Sequence, residues 1–114
     1  MELWHNPKCS KSRAAKAILD QRGAEYVVRR YLEDPPDVHT LDRVLRSLGK
    51  EPWEITRTGE DRAKELNVEA LPHDRAEWLS LLVANPVLIE RPILVSGDGR
   101  AVVGRPPETV ETLL

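Results

Sequence analysis

The strongest constraint on the fold is the way two short extended segments bracket one helical stripe at the start of the chain. Met1 to His5 reads as extended and leads into a polar loop, Asn6-Pro7-Lys8-Cys9-Ser10-Lys11. Ala14, Ala15, Ala17, Ile18 and Leu19 then recur at helical spacing, and Gly23 marks the stop. Glu25 to Leu32, with Tyr26, Val27, Val28 and Tyr31, supplies the second extended segment. Roughly twenty residues separate the two, far more than a hairpin needs and enough for a helical crossover, so the pattern predicts parallel strands in a βαβ unit. A chain that opens this way belongs to the α/β class.

Beyond Pro35-Pro36, Asp37 is placed to cap a helix whose stripe is Val38, Leu41, Val44, Leu45 and Leu48, with Gly49 as its stop. A further helix is expected from about Asp74 to Ala84, carrying Trp78, Leu79, Leu82 and Val83 and ended by Asn85-Pro86. Pro92 to Ser96 and Arg100 to Gly104 flank Gly97-Asp98-Gly99 as a β-hairpin, and Pro106 to Leu114 closes the chain as a helix. This order predicts a thioredoxin/glutaredoxin-like mixed sheet with a helical insertion between its βαβ and ββα halves. The 114 residues suit one domain, 1–114, and carry no repeat, low-complexity tract or flexible linker.

Charge and hydropathy remove several functional classes. Lys and Arg total 17 against 19 for Asp and Glu, a net charge of -2, so there is no overall positive field to favour nucleic acid or anionic lipid. Apolar runs such as Leu79 to Ala84 are far below spanning length, and Met1-Glu2-Leu3-Trp4 lacks a signal-peptide core, so a cytoplasmic protein without membrane contact is expected. Trp4, Trp53 and Trp78 read as packing residues. One cysteine excludes an intrachain disulfide and a Cys-rich zinc site, and no metal is expected.

That cysteine is either an inert buried thiol or a reactive one working with an outside partner. Cys9 stands where the first helix begins, facing unpaired backbone N–H groups and the positive end of the helix dipole, both of which favour a thiolate. His5, Lys8, Lys11 and Arg13 lie within four positions of it, with no carboxylate between His5 and Arg13. A buried small hydrophobe seldom sits in so polar a stretch, which favours the reactive thiol. His5 either tunes that thiol or is an ordinary hydrogen-bonded residue at a strand end. Ser12 occupies the position where a dithiol oxidoreductase carries its second cysteine, so an external thiol has to resolve any covalent intermediate. Six positions after Cys9, where a tyrosine-phosphatase-like phosphate loop carries arginine, the chain has Ala15, which argues against phosphatase chemistry. Arg13 lies one helical turn on and could bring its guanidinium near the sulfur.

Arg91 and Arg105 each precede a proline and flank the hairpin at equal distances from Asp98. A three-residue turn centred on Asp98 sets Ile93 opposite Val103 and Arg91 opposite Arg105. Facing like charges cost a few tenths to about 1 kcal/mol unless an anion lies between them. Two guanidinium forks match a tetrahedral oxyanion, so the pair is either an anion clamp or two splayed surface arginines. In thioredoxin-like folds the strand that opens the hairpin begins with a cis-proline beside the active cysteine, and Pro92 fits that place.

The segment His5-Asn6-Pro7-Lys8-Cys9-Ser10-Lys11-Ser12-Arg13 resembles the HNPxCxxSR segment of glutaredoxin-coupled arsenate reductases. The likeness continues through Tyr31-Leu32-Glu33-Asp34-Pro35-Pro36, Arg57-Thr58-Gly59-Glu60, Lys64-Glu65-Leu66, Asn85-Pro86, Ile89, Arg91-Pro92 and Gly104-Arg105-Pro106. It implies that Cys9 attacks arsenate while Arg57, Arg91 and Arg105 hold the oxyanion, Arg57 on the resemblance alone. It also implies that His5 lowers the thiol pKa and that Asn6, Ser12 and Arg13 give supporting hydrogen bonds around the thiolate. The implied partners are arsenate, glutathione as co-substrate and glutaredoxin, with no tightly bound cofactor. Two alternatives share the fold: a glutathione-dependent thiol-disulfide oxidoreductase, and an Spx-type regulator that binds RNA polymerase.

Overall fold

A computed structural model describes all 114 residues, Met1–Leu114. Their contacts fall into two compact units, one formed by Met1–Asp34 with Arg91–Leu114 and the other by Pro35–Glu90.

The first unit holds β1 (Glu2–Trp4), α1 (Ser10–Gln21), β2 (Val27–Arg29), β3 (Ile93–Val95) and β4 (Ala101–Val103). They build a four-stranded sheet in the order β2-β1-β3-β4. β1 and β2 are parallel, as the crossover length requires, while β3 is antiparallel to both β1 and β4. This is the thioredoxin-like mixed sheet that the element order predicts. Ala15 and Leu19, four residues apart on one face of α1, pack with Leu3, Leu94 and Val110 in a core whose members are all fully buried. Leu3 and Leu94 are register partners across β1 and β3, so α1 is fastened to the middle of the sheet.

The hairpin adopts the expected register, with Ile93 opposite Val103, Leu94 opposite Val102 and Val95 opposite Ala101. Gly99 supplies the positive φ of the turn at 90°. Arg91–Pro92 is cis, as anticipated, and Arg105–Pro106 is cis as well. Gly104 donates its N–H to the Pro92 carbonyl at 2.8 Å. A Cβ there would lie 2.7 Å from Pro92 Cγ and 3.3 Å from Val110 Cγ1. Neither a proline ring nor a fully buried valine can move aside easily, so Gly104→Ala is expected to cost about 1–3 kcal/mol. Thermal denaturation should show this as a lower midpoint, and an unchanged midpoint would contradict the close packing.

Two elements depart from expectation. Glu25 to Leu32 forms a strand only over Val27–Arg29, because β2 is an edge: Val27 and Val28 are exposed rather than built into a core. The chain then turns, Glu33 and Asp34 both donating N–H groups to the Arg30 carbonyl, and Tyr31 is fully buried within that turn. The closing segment is a 3-10 helix over Pro107–Leu113 rather than an α-helix, with Thr109 N–H on the Pro106 carbonyl and Leu114 N–H on that of Glu111.

The inserted unit contains α2 (Val38–Leu48), α3 (Asp61–Leu66) and α4 (Arg75–Ala84), joined by short 3-10 turns. The Asp37 carboxylate caps α2 by accepting from Thr40 N–H at 2.7 Å, and Gly49 closes it at φ 67°. Asp74 caps α4 in the same way through Glu77 N–H. Arg75 binds Asp42 of α2 and Glu51, each at 2.8 Å, and so ties α4 to α2. Trp78 is buried against Trp53, which stacks on His73 with ring centres 4.2 Å apart, and Trp4 is buried in the first unit. No helix is long and apolar enough to cross a membrane.

Candidate active site

The site is built by the loop between β1 and α1 together with the two ends of the hairpin. β1 finishes as His5 donates its backbone N–H to the Arg29 carbonyl at 2.9 Å. The Asn6 carbonyl then accepts from Cys9 N–H, and the Asn6 side-chain oxygen accepts from Lys8 N–H, each at 3.0 Å. These bonds fold Asn6-Pro7-Lys8-Cys9 into a tight turn and deliver Cys9 to the N-cap of α1 with extended backbone, φ −94° and ψ 123°. An ordinary N-cap oxygen is missing there. The sulfur occupies its place.

Opposing effects act on the thiol. The Cys9 side chain is nearly buried, with 8% of the residue exposed, and burial pushes its pKa up. The Ser12 backbone N–H, a hydrogen bond from Arg91, the Lys11 N–H and the charge of Arg91 all favour the anion and outweigh burial, so the thiol lies below its ordinary value. Arg105 completes the surroundings. Its Nη2 lies 3.8 Å from the Cys9 sulfur, while its Nε donates to the Arg91 carbonyl at 2.7 Å. The hairpin thus brings Arg91 and Arg105 together at the thiol instead of splaying them into solvent.

The other predicted residues divide by role. His5 Nδ1 lies 2.6 Å from Ser12 Oγ, and Ser12 Oγ accepts from Asn6 N–H at 3.0 Å. All three residues are buried. The Ser12 hydroxyl is thus shared between the His5 ring and the Asn6 amide. Burial, with Lys16, Arg30 and Arg13 nearby, holds the His5 pKa below its usual value. The shift favours the neutral imidazole over the charged one. The His5 ring also contacts Ser12, whose amide faces the sulfur. The Asn6 side chain closes the turn, and Arg13 Nη1 binds the Pro7 carbonyl at 3.0 Å. Both brace the loop, where the resemblance implied bonds around the sulfur itself.

Arg57 belongs to the inserted unit. Its Nε binds Glu60 at 3.1 Å and its Nη1 binds Glu90 at 3.2 Å, while its backbone N–H donates to the Leu88 carbonyl at 2.7 Å. The sequence reading did not single out these two carboxylates. Glu60 could have been found by its spacing three residues after Arg57, but nothing local marks Glu90. No group of three or more His, Cys, Asp and Glu side chains is arranged to hold a metal ion.

A lone N-cap thiol held by two arginines from the ends of a cis-proline hairpin is specific enough to test against known proteins. A family model described as the ArsC family matches residues 4–113. The chain belongs to the ArsC family. It is 51% identical over 117 residues to an uncharacterized protein in the glnII region of Streptomyces viridochromogenes, covering all of this chain and 98% of that one. It is 38% identical over 115 residues to an arsenate reductase of Neisseria meningitidis, covering all of this chain and 97% of the relative. Among solved structures, an arsenate reductase from Vibrio cholerae superposes with a TM-score of 0.91 at 40% identity, covering all of this chain and 98% of that chain. The ArsC assignment thus extends over the cysteine loop, the inserted helices and the hairpin alike.

Proposed function

We propose that this protein reduces arsenate to arsenite through a covalent adduct on Cys9, with glutathione and glutaredoxin as the outside thiols. The observation that carries this reading is the convergence of Arg91 and Arg105 on a sulfur already favoured as thiolate. Two guanidinium groups beside one nucleophile suit a tetrahedral dianion, which each can bind in bidentate fashion. Membership of the ArsC family and relatives named as arsenate reductases select arsenate among such dianions.

In the proposed sequence the Cys9 thiolate attacks arsenic, the As–OH bond breaks, and the hydroxyl takes a proton from solvent and leaves as water. Arg91 and Arg105, joined by Arg57 on the strength of the resemblance, stabilise the charge on the remaining oxygens. The glutathione thiolate then attacks the Cys9 sulfur. As the S–S bond forms, the S–As bond breaks and its electron pair stays on arsenic, so arsenic(V) becomes arsenic(III) and leaves as arsenite. The two sulfurs supply the two electrons. Glutaredoxin takes over the glutathione by thiol exchange and returns Cys9 to the thiol. Ser12 at the position of a second cysteine explains why both thiols have to be borrowed.

Arsenite release by the purified protein, with each component left out in turn, tests the scheme. Multiple turnovers are expected only when arsenate, glutathione and glutaredoxin are all present, and omission of glutaredoxin should leave the protein as a Cys9–glutathione disulfide visible by mass spectrometry. No arsenite under any condition would overturn the reading. Deglutathionylation of a protein substrate without arsenite formation would replace it with the thiol-disulfide oxidoreductase, and tight binding to RNA polymerase with no thiol chemistry would replace it with the regulator.

A further inference from the structure

The two parallel strands β1 and β2 end on the same side of the sheet, tied by the bond from His5 N–H to the Arg29 carbonyl. Beyond that bond the chain segments diverge, one into the loop that leads to Cys9 and the other into the turn Arg30–Glu33. Crevices at the carboxyl ends of strands are habitual ligand sites in α/β sheets. Here the crevice encloses about 130 Å³ and is lined by His5, Asn6, Lys8, Arg30, Leu32 and Glu33. Neither the proposed attack on arsenate nor the grip of Arg91 and Arg105 uses it.

We propose that this crevice binds the zwitterionic α-amino-acid end of the γ-glutamyl thiol that resolves the Cys9 adduct, an inference that rests on the function proposed above. Its volume suits one amino-acid head group rather than a whole tripeptide. Its charge suits a zwitterion. Lys8 and Arg30 offer cations to a carboxylate, while Glu33 offers a carboxylate to an ammonium and discourages a plain dianion. Arg30 and Glu33 pair with each other at 3.1 Å, but both side chains are more than half exposed, so the pair is weak and exchanges readily for a ligand carrying both charges. Leu32, partly exposed, gives the donor's methylenes an apolar wall. The crevice lies beside the reactive loop, because Asn6, one of its lining residues, accepts through its backbone carbonyl from Cys9 N–H at 3.0 Å. In such a donor the thiol-bearing residue follows the bound head group directly, across a single γ-glutamyl link.

The test separates this site from the reaction. The Cys9→Ser variant, which can form no disulfide, is titrated with S-methylglutathione while backbone amide resonances are followed. Saturable shifts are expected at Lys8, Arg30 and Glu33. Binding should weaken about fivefold or more in Arg30→Ala and in Glu33→Ala, and for an analogue lacking the α-amino group, as expected for the loss of one charged contact. In turnover, the same substitutions on the wild-type background should raise the glutathione KM by about 5–10-fold without a matching rise in the arsenate KM. Shifts confined to other surfaces, or unchanged affinity in both variants, would overturn the proposal. If arsenate turnover is absent while S-methylglutathione still binds in the crevice, it is the arsenate reading that fails. If turnover is normal and the crevice is indifferent, the donor site fails alone.

Discussion

Cys9→Ser is expected to form no arsenite above background while keeping the fold. The loss should be of the order of 10⁴-fold or greater, because two requirements fail together. A serine hydroxyl at the same N-cap is not ionised near neutral pH, so the nucleophile is absent. It also cannot contribute an electron to a disulfide, so reduction of arsenic has only one thiol where it needs two. Serine is a good N-cap residue, and its oxygen can accept from the amides of Ser12 and Lys11 that face the sulfur in the native protein, so circular dichroism and the melting temperature should hold. In the native protein the same thiol should be visible in its pH dependence. Thiolate is the reactive form, so alkylation by iodoacetamide should rise with pH and level off above the thiol pKa. The midpoint is expected below the usual thiol value, since the bonds from Ser12, Arg91 and Lys11 outweigh burial. A midpoint above that value would mean that burial governs the site and that the reactive reading of Cys9 is wrong.

Much of this arrangement could be read from the sequence wherever a local rule sets the structure. A three-residue turn between two short strands leaves one register, so the placement of Ile93 opposite Val103 followed from the position of Asp98. Asp37 and Gly49 bounded α2 because caps act within one turn of the residue that supplies them. Cys9 stood at a helix start for the same reason. Short elements escaped. α3 is six residues long and buries only Ala63, too little for an apolar stripe to stand out. β2 stops at Arg29 because the turn beyond it uses the Arg30 carbonyl, although the apolar pattern runs on to Tyr31 and Leu32. Long-range partnerships escaped too. His5 lies close to Cys9 in the motif yet bonds to Ser12, seven residues away, and its lowered pKa depends first on burial that no motif records. Arg57 meets Glu90 across thirty-three residues of chain.

The two hairpin arginines should fail in different ways when removed singly. Arg105→Ala is expected to lower kcat/KM for arsenate by about 10²–10³-fold, the usual effect of deleting one preorganised donor to a developing oxyanion. Arg105→Lys should recover little, because a point charge cannot reproduce the fork that now reaches both the Cys9 sulfur and the Arg91 carbonyl. Arg91→Ala should cause a loss of similar size and one further change. Arg91 supplies both a hydrogen bond and a charge that lower the thiol pKa, and Arg105, whose Nη2 lies 3.8 Å from the sulfur, adds a second positive charge beside it. Removing Arg91 should therefore shift the alkylation midpoint upward, and removing Arg105 should shift it the same way but less, since only Arg91 supplies both a hydrogen bond and a charge that lower the thiol pKa. Inhibition by phosphate, which needs the clamp but no attack by sulfur, should weaken in both variants. Kinetics at several pH values separate the two roles, because Arg91→Ala should recover more of its deficit as the pH rises than Arg105→Ala does. If both variants shift the midpoint equally, the arginines act as one undifferentiated positive field. If neither lowers kcat/KM nor weakens phosphate inhibition, the geometry at Cys9 has another use than holding an oxyanion.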